Sequence, residues 1–392
     1  MFKAKVTFWR VVLAIVLLAA AYATILRFTR GLGASTHLND AFPWGLWIGF
    51  DVMCGVMLAA GGFTLTASVY LFNMKKFKPI VRPTVLTAFL GYALVCVALL
   101  FDLGRGYRIW HPLVMWNPRS VMFEVAWCVM LYTIVLSLEF SGVLFERFHL
   151  HNLMRIQKMV LIPLVILGVL LSTLHQSSLG SLYLIVPNKL HPFWYTPLLP
   201  VLFFLSSICV GLAMTIFESS MSAKHFGKQL ELPLIQALGR TLLVVLSVYM
   251  VVRFQDLIHR GALSLLSRGG WEARLFILEM LLCSVVPIGL LLFPKVRENP
   301  KGLYLAAVLC LLGFVTNRMN VAITGMEAAS GQHYFPKWTE IAVTLAMIGF
   351  GFLVFAVAVN YLPIFSHEVQ CAPIAEREGV QAEMPELSNA QL

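Results

Sequence analysis

Eight titratable residues lie inside hydrophobic stretches of this chain: Asp51, Asp102, Glu124, His175, Arg253, Asp256, Glu279 and Arg318. An ionisable group at mid-helix in a bilayer costs about 2.5–3.5 kcal/mol on insertion scales, so such groups persist where they serve a purpose. Carboxylates and an imidazole in an apolar layer suit proton exchange and hydrogen bonding to a polar head group. Glu124, in SVMFEVAWC, has no basic residue within a turn on its own helix, which favours proton uptake and release there. Trp44, Trp47, Asp51 and Gly55 recur at three- and four-residue steps, so a helix would carry them on one face. His175, in LHQSSLGSL, is the one histidine well inside an apolar stretch, next to Gln176, Ser177 and Ser178. Asp102 and Arg105, in FDLGRGYRIWH, are three apart and would pair at a helix end. Tyr92 sits mid-stretch as a packing tyrosine or a relay member, while Glu139, Glu218 and Arg240 occupy the opposite halves of their stretches.

Plainer roles compete with each of these. The tryptophans and glycines of 44–62 also read as an interfacial belt followed by a packing seam. The Asp102–Arg105 pair could be purely structural, and the polar residues after His175 could cap a helix. Arg253, Asp256, Glu279 and Arg318 could neutralise one another or gate access to a site.

The elements that must position these groups are membrane helices. Of 392 residues 59% are hydrophobic and 12% charged, with a mean hydropathy of +0.82, which no soluble domain of this size could cover. The net charge of +10 comes from Lys and Arg in short loops between apolar runs, the pattern of membrane topology, and so excludes nucleic-acid binding. A span needs about 20 apolar residues. Ten are present: 8–29, 44–72, 81–103, 120–143, 156–176, 196–221, 234–258, 272–294, 302–325 and 338–365. The first is too long for a signal-peptide core and reads as a retained helix.

The fold class is therefore all-α integral membrane, one polytopic domain over residues 1–365. Residues 366–392 form a short acidic tail with few large apolar groups, expected to be disordered and cytoplasmic. More Lys and Arg lie on the side of the two termini, so both are expected in the cytoplasm. Helix direction then brings all eight titratable residues towards the outer face. Seven cysteines without a C-x-x-C pair, and a single deep histidine, argue against an iron–sulfur cluster, another metal centre or a two-histidine haem in this chain.

The strings FPWGLWIGFDVMCG (42–55), DLGRGYR (102–108), SVMFE (120–124), LHQSSLGSL (174–182), IFESS (216–220), VVRFQDLI (251–258) and YFPKWTE (334–340) resemble the NrfD/polysulfide-reductase family of membrane subunits. Within it they resemble the HybB-type integral subunits of hydrogenase-2-class nickel–iron hydrogenases, from about residue 30 to 365. The resemblance implies a protein without haem or cluster, built on two four-helix bundles over a core of about 42–325, with two flanking helices. It implies a ferredoxin-like iron–sulfur subunit at the outer face, nickel–iron hydrogenase large and small subunits beyond it, and electron exchange with menaquinone or ubiquinone in the inner membrane.

Quinone protonation and orientation would then fall on Glu124, Asp51 and Tyr92. Trp44, Trp47, Asp102, Arg105 and His175 would line the pocket with Asp51, and Glu139 and Glu218 would carry protons towards the cytoplasm. Some relatives have a histidine one or two turns beyond Asp51, where this chain has Ala59 and Ala60. The alternatives are the same membrane role beside a polysulfide or other oxidoreductase, or a secondary transporter. Transporters place binding groups at the midplane of inverted repeats, and neither feature is evident in this chain.

Overall fold

A computed structural model describes residues 8–40, 42–185, 190–227 and 230–365. The acidic tail read from the sequence lies outside them. Among the described residues ten helices are long and apolar enough to cross a membrane. They are α1 (Phe8–Arg30), α2 (Trp47–Leu71), α3 (Lys75–Asp102), α4 (Val121–Arg147), α5 (His151–Leu182), α6 (Leu199–Phe226), α7 (Leu232–His259), α8 (Trp271–Leu292), α9 (Pro300–Ser330) and α10 (Trp338–Tyr361). Continuous helix is the physical solution in lipid, because each backbone group must find its partner within the segment. The chain is a multi-pass membrane protein.

Several helices outrun their apolar windows. α5 begins at His151 rather than near 156, because Arg155, Gln157 and Lys158 are good helix formers even where the bilayer ends. Local chemistry sets the ends. The Ser120 hydroxyl accepts from the Phe123 N–H to start α4, and the Asn299 side chain accepts from the Lys301 N–H to start α9. The Glu340 carboxylate accepts from the Lys337 N–H at the start of α10. Gly227 and Gly331, at φ +62° and +67°, terminate α6 and α9 in the left-handed region.

Helices α2–α5 pack on one another as a first four-helix bundle, and α6–α9 as a second. The bundles meet where α5 and α2 lie against α6, and where the start of α2 meets α9. Gly211 makes the α2–α6 approach possible: a Cβ there would sit 2.9 Å from the Gly61 nitrogen. Gly313 does the same inside the second bundle, where a Cβ would collide with the Cys283 backbone of α8. α1 and α10 pair with each other outside the bundles, and α10 also lies on α3 and the start of α2.

Four stretches wind as π-helix: Trp47–Cys54 and Ala67–Leu71 in α2, Leu281–Val285 in α8 and Asn320–Thr324 in α9. Alternation of the spans brings the eight titratable residues into the halves of their helices nearest one face, where α2 begins and α3 ends. That face is termed the site face below.

Candidate functional site

The interior of the first bundle holds a file of polar side chains. On α4, Glu124, Cys128, Tyr132 and Glu139 follow one another at helical spacing, over about 22 Å along the axis. Cys128 lies beside both Glu124 and Tyr92 of α3. The Tyr92 ring meets Tyr132 edge-on at 4.6 Å and His175 of α5 at 5.8 Å. Ser172 and Gln176 stand next to the Tyr92 hydroxyl. Further towards the opposite face, Gly168 leaves room for the Tyr132 ring and the Glu139 carboxylate.

Tyr92, Ser172, His175 and Gln176 are at most 1% exposed. Yet the Tyr92 hydroxyl, the Ser172 hydroxyl, both His175 ring nitrogens and the Gln176 Oε1 have no hydrogen-bond partner. Only the Gln176 amide is held, donating to the Val56 carbonyl at 3.0 Å. Buried polar groups are rarely left unpaired, and each costs about 1–3 kcal/mol when it is. Four neighbouring side chains with five such atoms mark a place built to receive water or a polar ligand.

Glu124 itself stands in the first turn of α4 and is half-buried rather than enclosed. It lies on the flank of the helix, between the bundle interior and the lipid-facing side. That position suits exchange between the file and its surroundings.

Asp51 and Glu218 belong to a different place. They line a cleft of about 690 Å³ between α2, α3, α6 and α10. Its wall on α3 is Thr87, Leu90, Gly91 and Leu94, a different face of that helix from the one carrying Tyr92. Near the site face the Thr344 hydroxyl of α10 donates to Asp51 Oδ2 at 2.7 Å. At the other end Thr87 donates to Glu218 Oε2 at 2.8 Å, while Glu218 Oε1 has no partner. Glu139 and Glu218, one proton path in the sequence reading, therefore sit in separate places, Glu139 in the polar file of the first bundle and Glu218 at one end of an apolar cleft.

Expectations from spacing are corrected here. Trp44 does not share the face of Trp47, Asp51 and Gly55, because the helix starts only at Leu46; Trp47 and Asp51 both face α10, and Asp51 and Gly55 both line the cleft. Trp44 packs edge-on against Tyr183 at 5.4 Å. Trp47 is 1% exposed, donates to the Glu340 carbonyl and packs with Ala23 and Val343 of the flanking pair, so it seats α1 and α10 and does not line a pocket. Asp102 does not pair with Arg105, which points away on an exposed loop because α3 ends at Asp102. Its counter-charge is Arg27 of α1, which donates to the carbonyls of Phe101 and Leu103 at 2.6 and 2.7 Å.

In the second bundle Asp256 is ion-paired with Arg260 one turn on, at 2.7 Å, with Arg253 a further cation nearby. Arg253 donates to the Phe193 carbonyl and lies over the Phe276 ring.

The second bundle has the opposite character. Glu279, fully buried, accepts from the Trp194 indole at 2.8 Å, Asn317 at 2.7 Å and Asn320 at 2.8 Å. Arg318 donates to the Asn317 Oδ1 at 2.8 Å and the Ser206 hydroxyl at 2.7 Å. The Glu279 carboxylate is saturated by these donors, although the buried Arg253 and Arg318 Nε atoms have no partner. Trp194 reaches Glu279 from the loop before α6, where the Phe193 N–H donates to His191 Nδ1 at 3.2 Å.

Burial holds the His191 pKa below the ordinary imidazole value, with Glu272 partly opposing it. The neutral ring is thus the one the folded loop prefers, and its stabilisation is lost as pH falls through the folded value. Lowering pH from about 8 to 5 is expected to lower the amide protection factors at Phe193–Tyr195, that is, exchange corrected for its intrinsic base-catalysed rate, and His191→Gln to abolish that change. Protection factors there that ignore pH would remove His191 from the loop's stability.

The sequence reading missed Arg27, Thr344, Ser172, Tyr183 and Glu340. Arg27 and Glu340 were visible as charges at the ends of apolar stretches. Thr344 gives no signal in one dimension, because its role arises only when α10 folds back on α2.

Comparison with known proteins fits this architecture. The model of the polysulphide reductase NrfD family matches residues 34–328. The chain belongs to that family. It is 35% identical over 345 residues to the "Probable Ni/Fe-hydrogenase 2 b-type cytochrome subunit" of Escherichia coli, covering 86% of this chain and 87% of the relative. It is 30% identical to the "Menaquinone reductase, integral membrane subunit" of Nitratidesulfovibrio vulgaris, covering 89% of each chain. It is 26% identical to a selenate reductase subunit of Mesobacillus selenatarsenatis, covering 91% of this chain and 94% of the relative. NrfD-family chains are thus membrane subunits of redox complexes, and this one is such a subunit.

The Escherichia coli relative's name mentions a b-type cytochrome. In this chain the other histidines on spanning helices, His151, His225 and His259, stand at helix ends, while His175 is well inside α5. Among the described residues no group of three or more His, Cys, Asp or Glu side chains could hold a metal ion.

Proposed function

We propose that this subunit passes electrons from an extracytoplasmic iron–sulfur partner to menaquinone or ubiquinone, as the membrane arm of a hydrogen-oxidising complex. In this reading it resides in the inner membrane with cytoplasmic termini. A ferredoxin-like subunit and nickel–iron hydrogenase large and small subunits then dock on the site face. The observation that carries the reading is the cluster of buried, unpartnered polar atoms at Tyr92, Ser172, His175 and Gln176. A quinone ring asks for a hydrogen-bond donor at each carbonyl and for two protons as it takes up two electrons. The Tyr92 hydroxyl and the His175 ring are free to donate, and both are enclosed among apolar helices.

In this mechanism Tyr92 and His175 orient the carbonyls and Glu124, on the flank of α4, delivers a proton. Glu139, at the other end of the file, refills it from the opposite side of the membrane. Electrons come from the partner and no atom of this chain changes oxidation state. Asp51 and Glu218 lie at opposite ends of the apolar α2–α3–α6–α10 cleft. Glu124→Gln in the assembled complex is expected to lower hydrogen-to-quinone turnover by about 10²-fold, in the range lost with a general acid. Unchanged turnover would remove Glu124 from the mechanism.

A second reading keeps the membrane role and changes the catalytic partner, and the likeness to subunits of menaquinone and selenate reductases favours it. The proteins that co-purify with the chain separate the two: nickel–iron hydrogenase supports the first, a molybdenum or cytochrome enzyme the second.

A further inference from the structure

The segment joining α3 to α4 carries a surface that the site does not use. Tyr107, Trp110, Leu113, Val114, Met115 and Trp116 are between 49% and 72% exposed. Arg105, Arg108 and Arg119 stand among them, and no acidic residue occurs between Leu103 and Phe123. Two short turns, Gly106–Arg108 and His111–Val114, give the segment a folded shape. Such a patch of large apolar groups needs a cover.

The place of Trp116 says what the cover is. Its indole donates to the Leu113 carbonyl, and its ring packs on Phe123 at 5.9 Å and on Trp127 at 5.4 Å. The buried side of α4 is Cys128, Val129, Tyr132 and Leu136, facing the bundle. Phe123 and Trp127 lie on the opposite stripe, in line with Ile134 and Leu138, which are 53% and 45% exposed. Trp116 thus extends the lipid-facing stripe of α4 beyond the end of the helix, and the apolar patch is continuous with the surface that the bilayer covers. Aromatic rings interleaved with arginines, without acids, match the head-group layer and its phosphates.

We propose that residues 104–119 form an interfacial arm that lies in the head-group layer of the site-face leaflet and binds anionic phospholipid through Arg105, Arg108 and Arg119. The arm holds the end of α4, and with it Glu124, at a fixed depth beside the lipid phase. It stands independently of the quinone reading.

The test uses the full chain with its co-purifying partners in nanodiscs of phosphatidylcholine and phosphatidylglycerol. A bimane label is placed at Val114→Cys, with Cys371→Ser removing a competing thiol; Met115→Cys serves as a second site. Emission is expected to be quenched about threefold more by lipid carrying a head-group nitroxide than by the same nitroxide free in water. The triple variant R105Q/R108Q/R119Q is expected to lose phosphatidylglycerol retained in native mass spectrometry, with thermal stability unchanged. A label that stays solvent-like, or that is shielded only when the partner proteins are bound and ignores lipid nitroxide, would overturn the proposal. The second result would make the arm a protein-docking surface.

Discussion

Replacing Tyr92 with phenylalanine is expected to lower quinone turnover by about 10²-fold while leaving thermal stability unchanged or slightly higher. The two halves of this result belong together. The Tyr92 ring is fully buried and packs on Tyr132 and His175, contacts that phenylalanine keeps. Its hydroxyl makes no well-aligned hydrogen bond, with only Ser172 and Gln176 beside it, so removing it costs the fold little. A tyrosine kept only for packing would lose no activity in the variant. One held by a structural hydrogen bond would lose stability. Measured together, turnover in the assembled complex and a melting curve distinguish the three cases. Full activity in Tyr92→Phe would withdraw Tyr92 from the site.

Glu279→Ala is expected to give the opposite pattern, a loss of stability of about 3–5 kcal/mol with little direct effect on chemistry in molecules that remain folded. Its carboxylate takes three donors, from Trp194, Asn317 and Asn320, of which Trp194 and Asn317 would be left unpaired. Arg318, 1% exposed, would lose the buried carboxyl group beside it. The Arg318 guanidinium lies flat on the Phe203 ring, 3.5 Å from its centroid, and cannot move to water. A melting temperature close to that of the parent chain would show that the second bundle does not rely on this carboxylate. A stable but inactive variant would transfer a chemical role to Glu279.

The contrast between these two residues explains what one dimension of sequence could and could not say. Ten apolar stretches predict ten helices, because a bilayer leaves the chain no other option over that length. Helix direction then places Asp51, Glu124, Arg318 and the other five towards one face, and this follows from counting alone. Pairing does not follow. Asp102 and Arg105 look like partners at three-residue spacing, but α3 stops at Asp102 and the charge that answers it comes from Arg27, some 75 positions earlier in the chain. Glu279 and His175 look alike as isolated polar residues in apolar runs. Only the folded chain shows Glu279 saturated and His175 without a partner. Trp44 leaves the stripe of Trp47 and Asp51 for a local reason, since it precedes the helix that starts at Leu46. What sequence could supply was depth; what it lacked was the neighbour on the next helix.

The most direct measurement is photo-crosslinking of the assembled, membrane-embedded complex with an azido-quinone, followed by peptide mapping. The account predicts labelled residues on α3, α4 and α5 around Tyr92, Cys128 and His175, with labelling lost in excess unmodified quinone. Labelling confined to the second bundle around Glu279 and Arg318, or none that unmodified quinone displaces, would contradict it.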